Sequence, residues 1–234
     1  MDIIPVIDLM DGCVVHAKRG ERRLYQPLQS ALCHDSEPLT VVAALLELYP
    51  FRHLYIADIN AIQGRGNHGP VIRQIRNKYP DIEIWLDGGI TDVGQALIWK
   101  NEGMQCIIGS ESCPEIDSYL GLHDALGKDA ILSLDFHHHG HLGPQTLLKN
   151  QSLWPERVIG MSLSRVGSNE GPDIDLLSGL QARHAKVYAA GGVRDAQDLA
   201  LLESSKIAGA LVASVLHSGK ISAAQMAGIS PGNI

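Results

Sequence analysis

Two aspartates stand where chemistry would be expected. Asp8 closes the apolar run Asp2–Asp8 (DIIPVID), and Asp135 closes the similar run Ala130–Asp135 (AILSLD), 127 residues later. Two carboxylates at matched strand ends can serve as general acid and general base on one small molecule, provided their surroundings separate their proton affinities. A lone aspartate there would do no more than cap a turn. Asp58 and Asp87 also end strand-like runs but have no acidic counterpart: Met161-Ser162 falls opposite the first and Ala190 opposite the second.

Glycine pairs form the second constellation. Gly88-Gly89 follows the run Ile82–Leu86, and Gly191-Gly192 follows the run that begins at Val187, an offset of 103 residues. Each pair opens a helix with capping residues, Thr91-Asp92 and Arg194-Asp195, and each unit ends in a further strand with a small-residue turn, Gly109-Ser110 and Ala213-Ser214. Glycine lets backbone and ligand come close, and the free N–H groups at such turns favour phosphate. One such turn can be purely architectural. Two in register point to two phosphate sites, built from Gly88, Gly89, Gly109 and Ser110 and from Gly191, Gly192, Ala213 and Ser214. Arg194 is the first-ranked cation to pair with phosphate, ahead of Arg65 and Arg165, with Lys18 and Arg19 in the first loop able to close over a substrate. No strand carries a well-placed lysine, which argues against Schiff-base chemistry. The run His137-His138-His139-Gly140-His141 does not by itself make a tetrahedral metal site, so it reads as a substrate-facing loop or a solvated cluster and no metal is assigned.

The elements that must position these residues alternate. Strand-like runs at Asp2–Asp8, His53–Asp58, Ile82–Leu86 and Gln105–Ile108 are each followed by a helical pattern, and the order restarts at Ala130. Ser36 is the expected cap of the first helix, Pro38–Tyr49. Gly20–Ser36 reads as a long irregular loop, and Met10–Arg19 as a turn with a possible extended excursion. Alternation means a parallel sheet with helical crossovers. Eight units in 234 residues match a (β/α)8 TIM barrel, an α/β fold. The repeat makes it two duplicated half-barrels, about 1–126 and 127–234, in a single domain.

The net charge of −7, without a basic block, argues against nucleic acid or an anionic membrane as partner. It leaves a phosphorylated small molecule open. Four cysteines without a CxxC pair read as free thiols. No signal-like segment precedes the first strand, so a cytoplasmic protein, monomeric or a small homo-oligomer, is expected.

The stretches IPVIDLMDGCVVHAKRG, IADINAIQGRGN, LDGGIT, CIIGS, ILSLDF, GPDIDLL, AAGGV and GALVASVLHSGKI resemble the half-barrel isomerase and cyclase family of histidine biosynthesis over residues 3 to about 221. The resemblance is closest to its ProFAR isomerases (ProFAR is phosphoribosylformimino-5-aminoimidazole carboxamide ribotide). It implies an Amadori rearrangement of a phosphorylated aminosugar, an EC 5.3.1-type aldose–ketose isomerisation without a cofactor. Asp8 would be general base and Asp135 general acid, with the two glycine units holding the two ends of a bis-phosphate. Departures from the family pattern are Thr91 for Arg, Met161-Ser162 for Thr-Asp, Val166 for Asp, Ala213-Ser214 for Gly-Arg, His16 for Arg, and histidines after strand 5 for Arg or Lys and Gly. Loss of a strand-6 hydroxyl and of three arginines should weaken bis-phosphate binding. The pattern looks like a divergent paralogue, similar to proteins of tetrahydromethanopterin-linked one-carbon metabolism acting on another phosphorylated intermediate. A non-catalytic phosphate-ligand binding protein is the alternative of another class.

Overall fold

The computed structural model describes residues 1–184 and 186–229. The short apolar runs form eight parallel strands: β1 (Asp2–Met10), β2 (His53–Asp58), β3 (Glu83–Asp87), β4 (Gln105–Gly109), β5 (Ala130–His137), β6 (Arg157–Ser162), β7 (Val187–Ala190) and β8 (Gly209–Val212). Each pairs with the next, and β8 pairs with β1 from Asp2 opposite Gly209 to Pro5 opposite Val212, which closes the sheet into a (β/α)8 barrel. Closure removes the exposed edges that an open sheet would present.

Helices cross outside the barrel at Pro38–Leu48, Gly69–Lys78, Val93–Asn101, Ile116–Leu126, Ile174–Gln181, Ala196–Ser204 and Ala223–Ile229. The crossover between β5 and β6 shrinks to Gln145–Lys149 and a 3-10 turn. The duplicated caps hold: Asp92 accepts from the Gln95 N–H, and Asp195 from those of Gln197 and Asp198. The first helix differs from expectation. Its cap is Glu37, not Ser36, because the longer carboxylate reaches the Thr40 N–H at 2.7 Å.

The inside of the barrel is packed solid at mid-height. Every strand sends one large side chain inward: Ile4, Tyr55, Trp85, Ile107, Ile131, Ile159, Tyr188 and Leu211. Trp85 meets Tyr188 edge to face at 4.9 Å, a favoured aromatic geometry. Below them Arg157 pairs with Glu83 at 2.7 Å, and the Trp85 indole N–H donates to the same carboxylate. A strand alternates sides at every residue. Two or four residues beyond this layer, the inward positions are therefore Asp8, Ala57, Asp87, Asp135, Met161 and Ala190, all at the C-terminal mouth.

Both half-barrels open with a hairpin. Cys13–His16 runs back along β1 with Asp8 opposite Val15, and Gly140–Leu142 runs back along β5 with Asp135 opposite Leu142. The 127-residue offset thus continues past the aspartates. The excursion expected after Met10 is this returning strand, turned by Asp11 and Gly12, both with positive φ (50° and 89°), which suits Asp-Gly in a two-residue hairpin turn. The histidine run is the tip of the second hairpin.

The floor of the barrel has no spare room at Gly209. A Cβ there would sit 2.7 Å from the Tyr188 ring and 2.9 Å from the Asp2 carbonyl. Gly209→Ala is expected to lower unfolding free energy by roughly 1–3 kcal/mol, seen as a reduced urea midpoint with unchanged slope.

Candidate active site

A cavity of about 400 Å3 opens at the C-terminal ends of the strands, within the range of small-molecule sites. Asp8, Tyr55 and Asp87 line one wall, and Gly191, Gly192, Ala213 and Ser214 line the other. The long first loop folds over it. Tyr25 and Arg22 from that loop also line the cavity, and Arg22 reaches Glu111, just beyond β4, at 2.8 Å.

Three carboxyls compete for protons in this region. Asp8 is half-buried, and no backbone or side-chain donor among the described residues bonds its carboxyl. Burial pushes it up to about 7, and the charge of Asp87 adds to the rise. Asp87 is raised by burial to about 6, against the opposing effect of hydrogen bonds from the Gly89 N–H (3.3 Å) and the Tyr55 hydroxyl (3.0 Å). Asp135 is raised by burial to about 7, although the Ser133 hydroxyl (2.6 Å), the Ser110 hydroxyl (3.3 Å) and the Glu111 N–H (3.1 Å) all bond it. The Tyr55 hydroxyl is driven well above its ordinary value by burial, then by Asp87 and Asp135, so it remains a donor. Carboxyls poised near neutrality can both take and return a proton, the property a general acid–base pair needs.

The candidate residues divide by half-barrel. Gly191, Gly192, Ala213 and Ser214 face the cavity; Gly88, Gly89, Gly109 and Ser110 do not. Gly88 faces a separate hollow beside Trp99, Gly89 abuts the backbone of Ile62, and Ser110 is wholly buried beneath Gly143. Asp135 lies behind the wall with its carboxylate against Gly109. Arg194 is committed elsewhere: Asp198 takes its guanidinium at 2.7 Å and 2.9 Å and its backbone N–H at 2.8 Å. Arg165 pairs with Asp173, and Arg65 with Asp11. Asp58 has an architectural task, capping Ile59–Ile62 and holding His68 at 2.8 Å. Among the described residues no group of three or more His, Cys, Asp or Glu side chains is arranged to hold a metal, the histidine hairpin included.

Several cavity residues escape a reading by strand ends alone. Tyr55 sits two residues below the end of its inward face, where parity would have found it. Glu111 and Tyr25 become site residues only through loop placement. His16 lies at the end of the hairpin strand and meets the Ser214 hydroxyl at 3.0 Å, and His217 meets Ser30 at 3.0 Å.

The family model described as histidine biosynthesis protein matches residues 2–222. The chain belongs to that family. An uncharacterized protein of Methanocaldococcus jannaschii is 32% identical over 224 residues, covering 94% of each chain. A ProFAR isomerase of Thioalkalivibrio sulfidiphilus is 28% identical, covering 96% of this chain and 97% of its own, and one of Hydrogenovibrio crunogenus is 28% identical, covering 94% of each. The full name of these two enzymes describes an imidazole carboxamide carrying two phosphoribosyl groups.

The carboxyl cluster has a thermodynamic signature. An unfolded aspartate ionises near 3.9, so between that pH and about 7 the folded chain holds the extra proton at Asp8, and stability falls as pH rises through this window. The buried His217, held down to about 4 chiefly by burial, acts oppositely below about 6.5, but equally in both proteins compared. Asp8→Asn should therefore be more stable than the natural protein by roughly 1–3 kcal/mol at pH 8, with the gap closing toward pH 4.5, as read by urea unfolding at the two pH values.

Proposed function

We propose that this protein catalyses an Amadori-type isomerisation, converting a phosphorylated aminoaldose into the corresponding aminoketose, with Asp8 as general base and Asp135 as general acid. The observation that carries the reading is Asp8: a carboxyl facing an open cavity, free of hydrogen-bond donors and raised to about 7. Membership of the histidine biosynthesis family and the likeness to named isomerases support the same reaction class.

The chemistry needs only proton transfers and no electron carrier. An acid protonates the ring oxygen, the C1–O bond breaks, and the nitrogen lone pair forms a C1=N bond. A base then removes the C2 proton, and those electrons pass through C1 to the nitrogen, giving an enaminol. Proton return to C1 and loss of the C2 hydroxyl proton complete the ketone. In this reading Asp8, which lines the cavity, takes the C2 proton. Asp135 keeps a proton near neutrality because burial disfavours its anion, as a general acid must. Its bonds to Ser110 and Ser133 must rearrange to reach substrate; contacts of this kind commonly tighten only in the substrate complex. Asp87, on the cavity wall, holds Tyr55 and supplies the negative field that raises Asp8.

The test is turnover by the purified protein of two phosphorylated aminoaldoses, ProFAR and the condensation product of aniline with ribose 5-phosphate, followed by the ketone carbon signal in 13C NMR. At least one should be converted. Asp8→Asn and Asp135→Asn should each lower kcat by about 10³-fold or more, and Asp87→Asn by about tenfold. Conversion of neither compound, or full activity in Asp8→Asn, would overturn the assignment.

A further inference from the structure

The two halves of the barrel repeat each other in backbone but not in what their turns can bind. In the first half three donors are already spent on the protein itself. The Gly89 N–H bonds Asp87 at 3.3 Å, the Glu111 N–H bonds Asp135 at 3.1 Å, and the Ser110 hydroxyl bonds Asp135 at 3.3 Å while accepting the Asp135 N–H at 2.9 Å. The space is spent as well. Gly143, at φ +113°, lies so close that a Cβ on it would be 2.3 Å from the Ser110 carbonyl oxygen, and a Cβ on Gly89 would be 2.6 Å from the Ile62 Cα. The charge is of the wrong sign for an anion: Asp87 and Asp135 are the local groups, and Arg22, which reaches this end, is neutralised by Glu111 at 2.8 Å.

The second half differs in charge and in access to the cavity, although its glycines are packed as closely: a Cβ on Gly192 would be 2.2 Å from the Gly171 carbonyl oxygen and one on Gly191 2.6 Å from that of Ser162. Ala190 stands in register with Asp87, so no carboxylate guards the turn. Gly191, Gly192, Ala213 and Ser214 face the cavity, and among the described residues the Ser214 hydroxyl has only the His16 imidazole as side-chain partner. Lys220 lines the same end and has no ion-pair partner among the described residues. His217, bonded to Ser30, backs this wall. The neighbouring ion pairs, Arg19 with Glu170 and Arg194 with Asp198, sum to zero.

We infer that the ligand of this cavity carries one phosphate, held at the second-half end by Ser214, His16 and Lys220, and presents an uncharged or amine-bearing group to Asp87 and Glu111 at the other. The inference deepens the proposed isomerase reading and rests on it for the identity of the ligand as an aminosugar; the count of phosphates rests on cavity access, hydroxyl partners and charge alone. A second phosphate at the first-half end would have to displace internal hydrogen bonds and sit beside two carboxyls, whereas an amine would be drawn there.

Phosphorus NMR and calorimetric titration of the full chain with inorganic phosphate, ribose 5-phosphate and ribose 1,5-bisphosphate test this directly. The expected result is one phosphate per chain at saturation, with the bisphosphate binding within about threefold of the monophosphate. Ser214→Asp should weaken binding of ribose 5-phosphate by about tenfold or more. Saturation at two phosphates per chain, a bisphosphate preferred by about tenfold or more, or no phosphate binding at all would overturn the inference without need of the variant. Its failure is separable from that of the isomerase reading. Faster turnover of ProFAR than of the aniline-derived monophosphate would remove the single-phosphate inference and leave the isomerase; one bound phosphate with no turnover of either compound would do the reverse.

Discussion

The chemistry of this chain depends on strand parity around a filled barrel. Eight inward side chains, with Trp85 against Tyr188 at the centre, occupy the middle of the barrel so completely that nothing can pass below them. Because a strand alternates faces at each residue, this layer dictates which positions face the mouth. Asp8, Asp87 and Asp135 point into the same region because Ile4, Trp85 and Ile131 point into the core beneath. The floor also removes water from one side of the carboxyls, and that desolvation is the largest cause of the rise at all three. Packing and reactivity are here one arrangement.

The two halves of the barrel share a scaffold but not its symmetry of side chains. The hairpins that follow β1 and β5 keep the 127-residue offset, so Asp8 and Asp135 occupy equivalent places opposite Val15 and Leu142. Their surroundings are not equivalent. Asp8 is bare toward the cavity, while Asp135 is held by two serines and a backbone N–H behind the wall. Two carboxyls with different solvation and different donors can divide the roles of base and acid. The glycine turns are separated too: both pack against neighbouring backbone, but only the second, with Ser214, lines the cavity. The long first loop is tied within the first half by Arg22 to Glu111, and Arg19 beside it reaches Glu170 of the second half.

Much of this was legible in the residues alone. The alternation of apolar runs with amphipathic stretches, the two Gly-Gly turns at an offset of 103 and the paired strand-end aspartates are local patterns, and local patterns survive in one dimension. The barrel, the caps at Asp92 and Asp195, and the position of Asp8 at the mouth follow from them because the rise and parity of a strand need no knowledge of its neighbours. Asp-Gly at 11 and 12 signalled a hairpin turn that the composition around it obscured, since Lys18, Arg19 and Gly20 follow the returning strand within a few residues.

What the sequence by itself determined was therefore the architecture, the family likeness and the matched strand-end positions of Asp8 and Asp135. What only the tertiary structure decided was availability. Arg194 follows a phosphate-type turn, yet one helical turn onward Asp198 takes its guanidinium, an i to i+4 contact whose outcome depends on where the helix begins. Ser110 and Ser214 are the same residue at matched positions, yet one hydroxyl is buried against Asp135 and the other opens to a cavity beside His16. Such differences are set by contacts between segments far apart in the chain, Gly143 on Ser110 and the first hairpin beside Ser214, and a donor already satisfied by the protein cannot be told from a free one until those segments are brought together.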